Sequence, residues 1–183
     1  MTVAARRLRV LAFALLASAL LGGAVPAPAQ EDAPQSGGFD PADLLERLGD
    51  AARRNDHVAY LACLADTFDY VPLPTDVINN PDLVWDGWDQ VRERTYVRRA
   101  AERGRLAFPR VIEVNSRTAR GRDDAEWDVT YELAGKFRAR AVLTMVRSGV
   151  RWYLRGWEDI DQVFDADGEA WRGSAEQRAL VMR

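Results

Sequence analysis

The chain has one cysteine and one histidine in 183 residues. A lone Cys63 closes no internal disulfide, so the fold must rest on its core. At 48% hydrophobic residues and about 150 residues, a single domain buries roughly 70% of its unfolded surface and needs no staple. Cys63 lies among Tyr60, Leu61, Leu64 and Ala65, the surroundings of a buried thiol rather than a reactive one. Zinc spacing of Cys and His, a Gly-x-Ser-x-Gly elbow and a phosphate loop are all missing. His57 and Cys63 stand six apart on poorly aligned faces of one helix, which excludes them as a nucleophile–base pair. His57 sits at a helix start and reads as an exposed or capping residue. Asp165, Asp167 and Glu169 surround Gly168 but lack the first ligand and the distal Glu of a calcium loop. No metal or cofactor is expected, and no internal repeat is visible.

Long hydrophobic runs are missing too. The longest, Val10 to Gly23, has about 14 residues where a bilayer span needs roughly 20. It follows Arg6, Arg7 and Arg9 and precedes Ala27-Pro28-Ala29, the pattern of a secretory signal peptide over residues 1–29. Arg9 stands where a twin-arginine signal wants an apolar residue, which favours general secretion. The expected destination is the periplasm, cell envelope or exterior. Without residues 1–29, which hold three arginines and no acid, the net charge moves from −3 to about −6. That balance opposes binding to nucleic acid, or to an anionic membrane after cleavage.

Residues 30–39 are polar and Pro/Gly-containing, a flexible leader. Asp40-Pro41 is an N-cap with Pro at the first helical position, and Leu44, Leu45, Leu48, Ala51 and Ala52 recur at helical spacing. Asn55-Asp56 interrupts before a short second helix over 57–65. Thr67, Phe68, Tyr70 and Val71 predict a strand over 67–73, which Pro72 and Pro74 confine to an edge or end. A loop follows, then a third helix over 86–102, stopped by Gly104. Four alternating segments, 108–118, 124–134, 137–147 and 150–160, predict an antiparallel meander. A short helix from Ser174 has no evident partner in the tail, 162–183.

The alternation also predicts register. Trp127, Val129, Tyr131 and Leu133 share one face, and a three-residue loop at Ala134-Gly135-Lys136 sets Leu133 opposite Phe137, Tyr131 opposite Ala139 and Val129 opposite Ala141, with Glu132 facing Arg138 outside. A two-residue turn at Ser148-Gly149 then sets Met145 beside Trp152, Leu143 beside Leu154 and Ala141 beside Gly156. Outside, it pairs Arg140 with Trp157 and Arg138 with Asp159. Carried back to the first meander strand, the pattern aligns Val114 with Trp127, Ile112 with Val129 and Arg110 with Tyr131. The inner face then holds a narrow row of small residues at Ala139, Ala141 and Gly156, beside Arg110, Tyr131 and Glu158. Small residues next to convergent polar ones beneath helices are how a ligand cavity is built.

Leu44-Leu45-Glu46-Arg47 with Ala51-Ala52, Asp66-Thr67-Phe68-Asp69-Tyr70 after the second helix, and Val150-Arg151-Trp152-Tyr153-Leu154 in the last strand resemble the nuclear transport factor 2-like (NTF2-like) superfamily, which includes SnoaL-like and ketosteroid-isomerase-like proteins. The resemblance covers about residues 40–161. It implies an α+β, cone-shaped fold with N-terminal helices packed on a curved, mainly antiparallel sheet. It also implies an enclosed pocket, used by some members for isomerase, hydrolase or dehydratase chemistry and by others for binding alone.

The candidate ligand-binding residues are Tyr131, Glu158, Arg110, Asp69, Trp88, Ala141 and Gly156. Either Asp69 or Tyr70 faces the pocket, and parity leaves open which. Trp88 anchors the third helix in one reading and forms an aromatic lid with Trp85 in another. No catalytic set stands out. The preferred function is therefore binding of a small apolar or amphipathic molecule or of a protein partner. The alternative is a cofactor-independent isomerase, hydrolase or dehydratase with Glu158 or Asp69 as base and Tyr131 as donor. Tyr153, Trp157, Val142 and Val146 make the outer sheet face apolar enough to predict a homodimer through it.

Overall fold

The structure, a computed structural model, describes residues 37–183. The expected signal peptide, its cleavage site and most of the leader lie outside the described residues. Asp40 caps the first helix, α1 (Pro41–Arg53), by accepting from the Asp43 amide. Asn55 ends it in the left-handed conformation (φ 56°) that asparagine tolerates. Asp56 caps α2 (His57–Leu61). This helix is shorter than expected, because the chain extends from Leu64 as β1 (Leu64–Val71).

The expected loop holds a short helix, α3 (Pro74–Asn79), with proline at its first turn. Trp88 belongs to a two-residue strand, β2 (Trp88–Asp89), rather than to the third helix. That helix, α4 (Gln90–Glu102), starts one residue after Trp88's neighbour Asp89, whose carboxylate caps the amides of Val91 and Arg92. The meander follows as β3 (Arg110–Ala119), β4 (Asp124–Leu133), β5 (Phe137–Ser148) and β6 (Arg151–Gln162), and the chain ends in α5 (Ser174–Met182). The six strands form one sheet in the order β2-β1-β6-β5-β4-β3, antiparallel except where β1 runs parallel to β6. Helices packed on this curved, mainly antiparallel sheet give the α+β cone. Leu44 and Leu48 of α1 are fully buried in its core, each side chain contributing about 1.5–3 kcal/mol.

Between β4 and β5 the register is the one the alternation predicts: Leu133 opposite Phe137, Tyr131 opposite Ala139, Val129 opposite Ala141, and Glu132 opposite Arg138. Between β5 and β6 it differs. Ser148 pairs with Arg151, so the turn is Gly149-Val150, and Met145 pairs with Leu154. A bulge at Arg155 then shifts the pairing, setting Leu143 opposite Trp157 and Ala141 opposite Asp159. One extra residue exchanges the faces of a strand. Trp157 and Asp159 therefore point inward and are buried, while Glu158 points outward and is exposed. A second bulge at Ile160 restores the alternation.

Two irregularities in β3 likewise set Val111 opposite Tyr131 and Val114 opposite Val129. Ile112 is consequently exposed, and Arg110 pairs with Glu132 on the outside. Ion pairs also join Glu132 to Arg138, Asp128 to Arg140 and Asp124 to Arg155 on the meander strands. Trp157, expected to help make the outer face apolar, lies inside the core.

Candidate functional site

The concave face of the sheet is occupied by the chain itself. Residue by residue, α5 inserts Ser174, Ala175, Arg178, Ala179 and Val181 into the cone, all buried. At its centre is Asp159 of β6. Its Oδ1 accepts from Tyr131 Oη (2.8 Å) and Trp157 Nε1 (2.9 Å), and its Oδ2 from Tyr70 Oη and Ser174 Oγ (both 2.9 Å). The Ser174 amide donates to Tyr131 Oη at 2.9 Å, which fixes the start of α5 on the sheet. Burial raises the Asp159 pKa against the pull of these donors. Burial, and then the Asp159 charge, hold the Tyr70 and Tyr131 phenols protonated far above their ordinary range.

One turn further along, Arg178 is 1% exposed and Glu93 of α4 fully buried. They pair bidentately, Nε to Oε2 at 3.1 Å and Nη2 to Oε1 at 3.0 Å. Trp88 Nε1 donates to Glu93 at 2.8 Å, and Arg178 Nη1 to Ser174 Oγ at 3.0 Å. The guanidinium carbon lies 3.8 Å from the Tyr70 ring centroid and 4.8 Å from that of Trp157, within cation–π range. Burial works against the Arg178 charge, but Glu93 together with Tyr70, Tyr96 and Tyr60 outweighs it and holds the group above its ordinary range. At the far end of α5, Arg99 and Arg103 donate to the carbonyls of Met182 and Val181. Those carbonyls lack helical partners, and cations favour that end of a helix.

Asp76 of α3 is buried at the other end. Its Oδ2 lacks a hydrogen bond of good geometry, and burial, with help from Asp159 and Glu176, pushes its pKa up to about 6. A side chain at Gly173 would place Cβ 2.6 Å from this oxygen and 3.3 Å from Asp159 Oδ2, so it would push the Asp76 carboxylate aside.

The candidate residues disperse accordingly. Tyr131 and Ala141 face the cone, where Tyr131 is committed to Asp159 and Ser174, and Ala141 lies opposite Asp159. Glu158 and Arg110 do not meet there: the β6 bulge turns Glu158 outward, and Arg110 pairs with Glu132 while bordering the groove between α1 and β3. Gly156 also faces out, where a Cβ would meet Asp69 and Thr144. Of the pair Asp69 and Tyr70, it is Tyr70 that enters the cone. Asp69 and Trp88 line a separate edge hollow of about 580 Å³ with Trp85, whose ring stacks on Trp88 at 5.2 Å. Asp159, Ser174, Arg178 and Glu93, none of them among the sequence candidates, hold the interior instead. Burial raises the Cys63 thiol pKa. Asp165 accepts from the amides of Asp167 and Glu169 in a turn. Among the described residues no three His, Cys, Asp or Glu side chains are grouped to hold a metal ion.

This interior is poorly suited to chemistry on a substrate. Each Asp159 oxygen already accepts two bonds, both phenols are turned onto it, and α5 fills the space a reacting molecule would need. Open apolar space lies elsewhere, in a groove of about 690 Å³ between α1 and the β3–β4 end of the concave face. Leu45, Ala52, Leu106, Phe108, Val114 and Trp127 line it, with Glu46, Arg53 and Arg110 also contributing. Its volume is in the range of small-ligand sites.

No family model matches the chain, and no curated protein matches it. Solved structures do. An NTF2-like protein of unknown function from Pseudomonas putida KT2440 superposes with a TM-score of 0.51 at 15% identity, over 72% of this chain and 90% of that one. A protein of unknown function from Mycobacterium tuberculosis superposes with a TM-score of 0.50 at 12% identity, over 75% and 87%. At such identity the likeness is one of fold.

Proposed function

We propose that this chain of NTF2-like fold is an exported, non-enzymatic binding domain that takes a small apolar or amphipathic molecule in the groove between α1 and β3–β4. The observation that carries the reading is the division of the concave face. Its polar centre is saturated by the chain's own donors and covered by α5, while its apolar end stays open. A base needs a free lone pair and a path for substrate, and Asp159 has neither. The groove has what a binding site needs: aromatic and aliphatic walls and a few charged groups to orient an occupant. Fold alone carries no activity; these side chains are what favour binding.

The uncharged fluorophore N-phenyl-1-naphthylamine tests the reading. It is expected to brighten on binding and to quench Trp127, and Val114→Trp, placed on a half-buried position of β3, is expected to abolish both signals while the chain stays folded. Probe binding unchanged by Val114→Trp would refute the groove as the site. Export is tested separately by N-terminal sequencing of protein recovered outside the cytoplasm, with a new terminus expected near Gln30.

A further inference from the structure

A third hollow, of about 560 Å³, lies between α2 and α4. It is floored by Val58, Leu61 and Leu64 and edged by His57, Arg94 and Arg98. Val58, although in the floor, is 52% exposed. Most arginines of α4 and its C-cap have structural work. Arg92 donates to the carbonyls of Val84 and Asp86, Arg99 to Met182, and Arg103 to Leu180 and Val181. Arg94 and Arg98 do not share in it. Arg94 makes one long bond, 3.4 Å, to the Gln90 side chain, and neither has a carboxylate within ion-pair distance among the described residues.

Standing four residues apart, these two guanidinium groups lie on one helical face and repel each other. Beyond the long Arg94–Gln90 bond, no ion pair or hydrogen bond among the described residues returns that cost, and both border the same apolar floor. Asp66 is the one carboxylate in the lining, so the hollow is locally cationic on a chain whose net charge is −3.

We propose that this hollow is a second binding site, for an amphipathic anion: a single carboxylate or phosphate head held between Arg94 and Arg98, with an alkyl or aryl tail laid over Val58, Leu61 and Leu64. Guanidinium groups match such heads in geometry as well as charge, and His57 adds a ring nitrogen at the rim. The site is distinct from the α1–β3 groove, whose chemistry is mainly apolar and whose residues it does not share.

Titration calorimetry on the full chain tests the proposal, with dodecanoate and dodecyl phosphate below their micellar concentrations, dodecylammonium as the opposite charge, and phosphatidylglycerol vesicles as a membrane-borne source of the same head chemistry. Both soluble anions are expected to show one binding event that depends on the two arginines, apart from any uptake in the α1–β3 groove. Arg94→Ala and Arg98→Ala are each expected to weaken binding about 10-fold or more, the usual effect of losing a charged hydrogen bond. Val58→Trp, which fills the floor from its exposed side, is expected to do the same, while Val114→Trp closes the other groove and leaves the arginine-dependent binding in place. All three substituted positions in the hollow are exposed, so folding is preserved. The proposal is overturned if dodecylammonium binds as well as the anions, if the arginine variants retain full affinity, if Val114→Trp is the variant that abolishes binding, or if only vesicles bind.

Discussion

Replacing Asp76 by asparagine should stabilise the chain, by an amount that grows as pH rises above about 4. Asp76 is 3% exposed and its Oδ2 lacks a hydrogen bond of good geometry, and burial lifts its pKa from 3.8 to about 6, Asp159 and Glu176 adding to the effect and Arg172 and the nearby Gly173 amide opposing it. At about 1.4 kcal/mol per unit, a rise of roughly two units makes the ionised form cost about 3 kcal/mol in the native state. The positive end of α5 next to Asp76 works the other way, by about 0.3–1 kcal/mol, and does not offset this. The native value lies above the unfolded one, so the native state binds more protons between about pH 4 and pH 6. Stability therefore falls as pH rises through that window, and the penalty is complete above it. The asparagine amide keeps the shape of the side chain and cannot ionise. Urea denaturation of both proteins from pH 4 to pH 8 isolates this difference, because the remaining titrations are common to both. The Asp76→Asn variant is expected to match the native chain near pH 4 and to exceed it by about 2–3 kcal/mol at pH 8. A difference independent of pH, or a variant less stable at pH 8, would refute the reasoning.

Other substitutions probe the interior. Arg178→Met leaves Glu93 buried and unpaired and is expected to cost about 3–5 kcal/mol in urea denaturation, of which Glu93→Gln in the same chain restores a large part. A double variant no better than the single one would show that the charge pair is not what anchors α5. Asp159→Leu strands four buried donors, at about 1–3 kcal/mol each, and is expected to leave the chain unfolded by circular dichroism, whereas Tyr131→Phe removes two bonds, the one given to Asp159 and the one taken from the Ser174 amide, and costs about 2–4 kcal/mol. On the outer face, Arg110→Ala breaks a pair whose arginine is 72% exposed, and the stability measured in urea is expected to change by under about 1 kcal/mol.

Local signals carried much of the architecture. The Asp40-Pro41 cap, the Asn55-Asp56 break and the Ala134-Gly135-Lys136 loop are visible in residue type, because capping, left-handed backbone and tight turns each demand particular side chains. The strict alternation of β4 and β5 fixed their pairing for the same reason. In β6 the alternation fails at Arg155 and Ile160, and neither residue marks a bulge. A single inserted position there moved Asp159 into the cone and Glu158 out of it, which misplaced the polar centre. The six residues of α3 are too few for a helical period to emerge.

The role of α5 was hidden by chemistry. With Ser174, Glu176, Gln177 and Arg178 it reads as a solvated helix, since arginine is almost never buried unless paired. Its partner, Glu93, lies 85 positions earlier in sequence. The small residues Ala175 and Ala179 flanking Arg178 were the available sign that this face packs closely.

Hydrogen exchange at the α5 amides tests most directly whether the cone is closed by the chain's own helix. If it is, the amides of Arg178 to Met182, which lie inside the helical ladder, exchange only as the whole domain unfolds, as slowly as those of β5 at Ala141 and Leu143. Exchange at loop rates, with β5 still protected, would mean that α5 leaves the cone in the native state and that Asp159, Tyr70 and Tyr131 are open to a ligand.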